Sequence, residues 1–309
     1  MAYDSAAPDA NDLATKGEAV EEWLDLRFFR PIGARIARAA YPTRVSPDQL
    51  TLICLLVGLV AGHLFLYDSP ALNAAGFVLF IISDLFDSAD GQLARLRRTS
   101  TRFGRILDGV SDNGRFINLY ISLCVRLVHG GWSVPGAFAL ALAAGLSHST
   151  QSAAVDFIRH AFLAIGVGRG SELGDAADSE TTAARPASVL RRLAIGAYHA
   201  YTARQRRMFP ATWALVGLAE RGELSAVARG AYRQRAGRLL AACAWLGQNL
   251  RFVIVGIAGV SGHPSAMLWA ALLPMNALMI ALVLAQERAT RRVCALIGGV
   301  VAPEPVGIA

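Results

Sequence analysis

Six long apolar windows constrain this chain more strongly than any other feature of its sequence. A membrane-spanning helix needs about 20 mostly apolar residues. Windows of this kind lie at 47–67, 71–91, 105–128, 134–164, 238–261 and 265–286. Charged residues make up only 17% of the chain, against about 25% of an ordinary soluble domain. We therefore predict an all-α integral membrane protein with a six-transmembrane-helix bundle.

The arginines are distributed unevenly among the segments that connect these windows. They crowd before the first window, between the second and third, across 169–238 and after the sixth, whereas the other three connections contain no Arg or Lys. Because Lys and Arg accumulate on the cytoplasmic side, we predict that both termini are cytoplasmic, and we expect a bacterial cytoplasmic membrane. The net charge of +7 then reflects contact with anionic headgroups, and no motif supports a nucleic-acid partner.

The N-terminal segment, residues 1–46, has two helical features. Residues 23–45 mix aromatic and aliphatic residues with arginines, which is typical of a helix in the headgroup layer; an ordinary surface helix is the alternative. Ser46, Pro47 and Gln49 supply an N-cap, a first-turn proline and a capping-box residue. This pattern predicts that the first span begins here.

A polar insertion separates the fourth and fifth windows. Residues 166–187 are Gly-rich and polar, which predicts a loop, and 188–236 have helical periodicity with many arginines. We predict a cytoplasmic helical insertion against the membrane, with a solvated appendage as the alternative. The predicted segments are 1–46, 47–165 with spans one to four, 166–237 as the insertion, 238–286 with spans five and six, and 287–309 as a cytoplasmic tail.

Four aspartates flank the connection between the second and third windows. Asp87 and Asp90 are three residues apart, and Asp108 and Asp112 are four apart, so on helices each pair shares one face. Asp84 extends the first acidic face. Like charges packed together repel, and a hard cation such as Mg2+ or Mn2+ removes that repulsion with oxygen ligands. Two ions shared among these acids would suit displacement at a diphosphate. In the alternative, the acids pair with nearby arginines, namely Arg95, Arg97, Arg105 and Arg115.

The spacing of this region matches a known signature at eight fixed positions. It is Asp87-x2-Asp90-Gly91-x2-Ala94-Arg95-x8-Gly104-x3-Asp108-x3-Asp112. This resembles in full the signature of the CDP-alcohol phosphotransferase family, D-x2-D-G-x2-A-R-x8-G-x3-D-x3-D. The family's six-helix membrane core and N-terminal interfacial helix fit the predicted elements, whereas the insertion is longer than we expect of a compact member.

The resemblance implies an enzyme of phospholipid biosynthesis. A CDP-linked lipid or alcohol would donate its phosphoryl-alcohol group to an acceptor hydroxyl and release CMP, at a cytoplasmic active site. The four aspartates resemble the family's ligands for two metal ions, and Asp112 resembles its general base. The motif residues that resemble its CDP site are Asp87, Asp90, Gly91, Ala94, Arg95 and Gly104. Glycine lets a nucleotide approach the backbone, and arginine offers a planar donor fork to phosphate.

Polar residues inside spans four and five are candidates for the acceptor pocket, because intramembrane polar groups tend to face a cavity or the bundle interior. They are His148, Gln151, Asp156, Arg159 and Arg251. For each residue singly, an interhelical hydrogen bond is the alternative. The two arginines would suit a phosphorylated acceptor such as inositol phosphate or glycerol phosphate, and the motif resembles bacterial inositol-phosphate-type members more than serine or choline ones.

Two other functions stay open at this point. The donor could be a small CDP-alcohol, carrying choline, ethanolamine or inositol, with a lipid as the acceptor. A divalent-cation transporter could also use clustered aspartates, but it would not need Gly91, Ala94 and Arg95 at fixed spacing, and we would expect acids deeper in several spans. A homodimer is compatible with either function.

Overall fold

The computed structural model describes residues 20–99, 102–168 and 189–296, and every regular element in these ranges is helical. The α-helices are α1 (Arg30–Ala40), α2 (Pro47–Leu64), α3 (Pro70–Arg97), α4 (Arg102–His129), α5 (Val134–Ala161), α6 (Val189–Met208), α7 (Pro210–Glu220), α8 (Ala226–Cys243), α9 (Gln248–Val260), α10 (Ser265–Leu272) and α11 (Pro274–Leu296). Short π-helical segments lie at Asp25–Phe29 and Phe162–Val167, and a 3-10 turn lies at Ala244–Leu246. The all-α prediction is confirmed for the described residues.

In the described part of the chain, four helical stretches are long and apolar enough to cross a membrane, and this length and composition indicate an integral membrane protein. They are Pro47–Leu64, Pro70–Arg97, Ala226–Val260 and Ser265–Leu296, and they overlap the predicted spans one, two, five and six. The windows of spans three and four also form helices, α4 and α5, with 28 residues each. These two helices are not among the four stretches. The count of six spans therefore stays a prediction.

The start of α2 follows the predicted capping box. The Ser46 hydroxyl accepts a hydrogen bond from the Gln49 backbone N–H at 3.2 Å, and the Gln49 side chain accepts one from the Ser46 N–H at 2.9 Å. Pro47 occupies the first turn, where its missing N–H costs nothing. The predicted helix start is confirmed.

Three predicted spans have different boundaries in the structure. Helix α3 continues past the predicted end at 91 and stops at Arg97, where Arg98 adopts a left-handed backbone with φ 53°. The window of span six is interrupted before Pro274, because proline lacks an N–H and its ring clashes with the preceding turn. The window of span five includes the end of α8, a 3-10 turn and all of α9, since Gly247 is extended with ψ 170°.

The chain forms two compact units. The first comprises Met1–Leu146 and Gln248–Leu272, and the second comprises Ser147–Gly247 and Leu273–Ala309. A stack of phenylalanines holds α2, α3, α4 and α9 together in the first unit. Its consecutive ring centroids lie 6.0 Å (Phe65 to Phe80), 4.4 Å (Phe80 to Phe252) and 5.3 Å (Phe252 to Phe116) apart. The predicted segment boundaries concern membrane topology and stay a prediction.

The N-terminal helix α1 packs against α3. A Cβ atom on Gly33 would lie 2.6 Å from the Ser88 hydroxyl, so the two helices approach more closely there than a larger residue would allow. The Arg97 guanidinium donates hydrogen bonds to the carbonyl oxygens that follow α1, at Ala40 (2.8 Å), Tyr41 (3.1 Å) and Thr43 (3.0 Å), and also at Val45 (2.5 Å). These hydrogen bonds connect α3 to the end of α1 and to the segment that follows it. The helix predicted within 23–45 is confirmed, and its place in the headgroup layer stays a prediction.

The second unit contains the predicted helical insertion. Helices α6, α7 and the first part of α8 lie within the predicted helical segment 188–236, whereas most of the predicted 166–187 loop lies outside the described residues. The cytoplasmic insertion itself stays a prediction. The buried Glu287 carboxylate accepts hydrogen bonds from the backbone N–H groups of Ala211 (3.0 Å) and Thr212 (2.9 Å) at the start of α7. A carboxylate is favourable at this position because a helix begins with unpaired N–H groups and a positive dipole end.

Candidate active site

Three motif aspartates converge between α3 and α4. Asp87, Asp90 and Asp108 each offer a carboxylate oxygen, and these oxygens all lie within 4.8 Å of one another. We call these three residues the aspartate cluster. The three-residue spacing on α3 turns Asp87 and Asp90 to one face, and α4 supplies Asp108 opposite them. Three carboxylates so close together are a suitable donor set for a hard divalent cation.

A threonine of α2 fixes one member of the aspartate cluster. The Thr51 hydroxyl lies 2.5 Å from Oδ2 of Asp90, and both side chains are buried. The same hydroxyl also lies 3.2 Å from the Pro47 carbonyl oxygen of its own helix. Helix α2 therefore takes part in the site. Thr51 is not among the residues predicted from the sequence, where its one signal is that it is polar in an otherwise apolar stretch.

A fully buried arginine of α4 links three acidic residues. The Arg115 guanidinium lies 2.7 Å from Asp84, forms an ion pair with Asp112 and lies 3.8 Å from Asp87. It also donates to the Ser83 hydroxyl at 2.9 Å. The alternative in which acids pair with arginines is thus correct for Arg115, and it coexists with the aspartate cluster.

Two neighbours shape the surroundings of Arg115. Gly58 of α2 leaves room for it, since a Cβ atom there would lie 2.2 Å from the Arg115 Cδ atom. Gln248, at the start of α9, donates to Oδ1 of Asp84 at 2.6 Å. Asp84 therefore accepts from two side chains and is almost fully buried. It supports the site rather than opening onto it.

The side chain of Asp112 is more accessible than those of Asp84 and Asp87. Its side chain is 43% exposed, compared with 33% for Asp87 and 8% for Asp84. Its carboxylate contacts Arg115, and it is not a member of the aspartate cluster. Asp112 thus contacts a buried cation on one side and is exposed on the other.

The other motif residues lie on α3 and α4. Gly91 and Ala94 are half-buried, and a Cβ atom on Gly91 would meet only the Arg95 Nη1 atom, at 3.5 Å. Arg95 has two buried nitrogens, Nε and Nη2, that find no hydrogen-bond partner among the described residues. Buried donors normally have an acceptor, so Arg95 is suited to an anionic ligand. Gly104 is half-buried near the start of α4.

The predicted acceptor residues fall in both units. Arg251 belongs to the first unit, where it is fully buried and hydrogen-bonded to Tyr120. His148 and Arg159 are half-buried on the part of α5 that belongs to the second unit. Two further candidates have interhelical partners in that unit.

These partners are side chains of the second unit. The Gln151 amide donates to Asn276 at 2.7 Å, and the Asn276 amide donates to Ser147 at 2.9 Å. The Tyr201 hydroxyl donates to Asp156 at 2.5 Å. For Gln151, Asp156 and Arg251, the structure therefore contains the interhelical hydrogen bonds that were the alternative to an acceptor pocket. Their role toward an acceptor stays a prediction.

A family model matches the part of the chain that contains this site, and several known proteins are similar to parts of the chain. Residues 44–179 match the family model described as CDP-alcohol phosphatidyltransferase. The bifunctional IPC transferase and DIPP synthase of Aquifex aeolicus is 32% identical over 111 residues, which are 35% of this chain and 24% of that protein. The protein of the same name from Archaeoglobus fulgidus is 26% identical over 144 residues, 47% of this chain and 28% of that protein.

The name of a third relative describes one activity, whereas the first two are named as bifunctional. The phosphatidylinositol phosphate synthase of Mycobacterium tuberculosis is 36% identical over 90 residues, which are 29% of this chain and 41% of that protein. This chain therefore spans between 24% and 41% of the length of these relatives.

Proposed function

We propose that the chain transfers a phosphoryl-alcohol group from a CDP-linked donor to an acceptor hydroxyl and releases CMP, because residues 44–179 match the family model described as CDP-alcohol phosphatidyltransferase. The observation that carries this proposal is the aspartate cluster. It combines residues from both halves of the family motif, and their carboxylate oxygens lie within 4.8 Å of one another. A transport function has no comparable support, since the fixed motif residues on α3 include an arginine with unpaired buried nitrogens.

The donor set of the site fits a hard divalent cation. Carboxylate oxygens suit Mg2+ and Mn2+ better than zinc or copper, and the aspartate cluster has the required spacing. We propose that Asp87, Asp90, Asp108 and Asp112 hold two such ions. When bound, the ions neutralise the donor diphosphate and polarise its phosphoryl oxygens.

The nucleotide half of the donor would lie along α3. Arg95 supplies a planar fork for a phosphate, and its buried Nε and Nη2 atoms would gain acceptors on binding. The absence of a side chain at Gly91 leaves the backbone accessible, because a Cβ atom there would find only Arg95 within 4 Å. The small side chain of Ala94, on the same helix, leaves space for the nucleotide.

The proton of the acceptor hydroxyl is assigned to Asp112. This carboxylate accepts the proton while the hydroxyl oxygen forms a bond to the phosphorus nearer the alcohol, and the bond from that phosphorus to the CMP oxygen breaks in line. Arg115 positions Asp112, since its guanidinium is fully buried and fixed by Asp84 and Ser83. The exposure of Asp112, at 43%, supports its access to the acceptor.

We propose a phosphatidyl donor and an inositol phosphate acceptor. The support is the 36% identity to a protein named phosphatidylinositol phosphate synthase, over 90 residues. Glycerol phosphate is the closest alternative acceptor because it offers the same phosphate and a hydroxyl.

The test is CMP release by the purified full chain in detergent with Mg2+. CDP-diacylglycerol is supplied with inositol phosphate, inositol or glycerol phosphate in separate reactions, and CDP-choline with diacylglycerol serves as the rival donor pair. We expect release with CDP-diacylglycerol and inositol phosphate. A folded protein that binds Mn2+ but releases no CMP from any pair would refute the transferase assignment.

We further propose the membrane topology predicted from the arginines, with six spans and with both termini and the active site in the cytoplasm. Single cysteines introduced by Arg44→Cys and His263→Cys in a background without native cysteines test it in whole cells. An impermeant maleimide should label position 263 but should label position 44 only after lysis. Equal labelling of both positions in intact cells would refute this topology.

A further inference from the structure

An open groove in the second unit is lined by four arginines. It has a volume of about 490 Å³ and lies between α8 and α11. Arg235 and Arg238 come from α8, and Arg288 and Arg292 come from α11. We call it the arginine groove. Neither the family motif nor the proposed reaction uses any of these residues.

The two helices hold the arginines in fixed register. The α8 pair is spaced three residues apart and the α11 pair four apart, so each pair lies on one helix face. The helices are joined by a hydrogen bond from the Gln286 amide to the Tyr232 hydroxyl at 2.6 Å, and both side chains are fully buried. This contact lies one turn or less from Arg235 and Arg288 along the helices. The arginines therefore converge because of core packing, and not because of chance surface conformations.

Among the described residues, the positive charge in the arginine groove has no counter-charge. In the ranges that the structure describes, none of the four arginines forms an ion pair. Arg235 donates only to the Ala231 carbonyl of its own helix, at 3.3 Å. The neighbouring acid on α11, Glu287, is buried and engaged with the N-terminus of α7. Like charges at this spacing destabilise helices, so an external anion would relieve the repulsion.

The positions of the arginines along the chain indicate what kind of anion this is. Arg288 and Arg292 directly follow the last apolar window, 265–286, and Arg235 and Arg238 lie at the start of the fifth window, 238–261. In the proposed topology, arginines at such positions lie at the level of the lipid headgroups, where basic pockets between helices bind anionic headgroups. Guanidinium groups match phosphate oxygens in geometry as well as charge.

We propose that the arginine groove is a phosphate-binding site, occupied by the phosphate of an anionic phospholipid headgroup. This site is separate from the proposed reaction, and its occupancy does not depend on the acceptor or donor. Its expected effect is to anchor α8 and α11 to the lipid, which would stabilise the folded second unit.

The test compares two double variants that remove the same charge from the same helices. R235Q/R288Q removes one arginine of the groove from each helix, whereas R233Q/R291Q removes exposed arginines of α8 and α11 that do not line it. Binding of phosphatidylglycerol, phosphatidylcholine and inorganic phosphate to the purified full chain is measured by native mass spectrometry and by the shift of the thermal midpoint.

We expect phosphatidylglycerol to bind the wild type and R233Q/R291Q alike, and to bind R235Q/R288Q about tenfold to a hundredfold more weakly, as loss of charge-assisted hydrogen bonds predicts. Phosphatidylcholine should bind all three proteins weakly. Arginine-dependent binding of inorganic phosphate without a preference for phosphatidylglycerol would keep the phosphate site but assign it to a soluble ligand.

Equal weakening in both double variants would overturn the proposal, because the effect would then be general surface charge. The same holds if R235Q/R288Q binds phosphatidylglycerol as the wild type does. If that variant does not fold, the single change R292Q replaces it, with R291Q as its matched control.

Discussion

The guanidinium of Arg115 lies 2.7 Å from the carboxylate of Asp84, and both side chains are buried between α4 and α3. Isolated charges are expensive to bury, and a buried pair is stable only while both partners remain. The pair therefore fixes the relative position of the two helices that carry the aspartate cluster. It also fixes the cation that contacts Asp112.

Removing one member of this pair should destabilise the protein. We expect Arg115→Met to lower stability by about 3–5 kcal/mol, because it leaves the buried Asp84 without its countercharge. The measurement is the thermal midpoint in detergent. The double change Arg115→Met with Asp84→Leu should recover part of the loss, since it removes both charges. If the double change is less stable than the single one, the pair is not the dominant interaction.

The proposed metal dependence can be tested by binding as well as by activity. Asp108→Asn should weaken Mn2+ binding, measured by electron paramagnetic resonance, because it removes one carboxylate of the aspartate cluster. Asp68→Asn is the matched control, since Asp68 is 87% exposed and pairs with Arg126 outside the motif. Excess EDTA should abolish CMP release by the wild type. Full release in EDTA would show that no metal is needed.

Substitution of Asp112 should lower turnover without weakening the binding of the CDP-linked donor. Asp112→Asn should lower turnover by about 10^2–10^4-fold, the usual contribution of a general base, while CDP-donor affinity stays near that of the wild type. Donor affinity is measured by isothermal titration with a nonreactive CDP analogue. A fall in affinity as large as the fall in turnover would make Asp112 mainly a metal ligand.

Arg95→Gln should weaken binding of the CDP-linked donor but not binding of the acceptor. Loss of a charge-assisted contact predicts a donor KM about tenfold to a hundredfold higher, with the acceptor KM unchanged. Arg98→Gln is the control, since Arg98 is exposed at the end of the same helix. Equal effects of the two substitutions on donor KM would indicate a general change in surface charge.

Gly58 offers a test of how tightly Arg115 is held. A methyl group at this position would overlap the Arg115 Cδ atom, which would lie 2.2 Å from it. Overpacking of this kind costs about 1–3 kcal/mol, so Gly58→Ala should lower both the thermal midpoint and turnover. Gly230→Ala, where a Cβ atom meets nothing within 4 Å, should leave both unchanged or raise stability slightly. An unchanged midpoint in Gly58→Ala would mean that Arg115 moves without cost.

Local features of this fold could be predicted from the sequence. The capping box at Ser46 depends on residues three positions apart, and the common face of Asp87 and Asp90 follows from helix geometry alone. The contacts that hold the site aspartates in place could not be predicted in the same way. Thr51 contacts Asp90 across 39 positions, and Gln248 contacts Asp84 across 164, so both contacts depend on tertiary packing.

The helix boundaries could not be predicted accurately because hydropathy is averaged over a long window. A window of about 20 residues responds to total hydropathy, so a single residue such as Pro274 hardly changes it although it ends α10 and begins α11. The acceptor residues were ambiguous for a different reason. A polar side chain inside a bundle looks the same in sequence whether it bonds a neighbouring helix, as Gln151 does, or faces a substrate.

The four hydrogen bonds from Arg97 to the end of α1 and the connection to α2 do not depend on the side chains at the four acceptor positions. All four acceptors, at Ala40, Tyr41, Thr43 and Val45, are backbone carbonyls, and every amino acid carries that group. Substitutions at these four positions therefore keep the anchor as long as the backbone path is kept. The residues at these four positions can therefore be substituted without losing the hydrogen bonds. Substitution of Arg97 would remove all four, so the donor side of this interaction tolerates mutation less than the acceptor side.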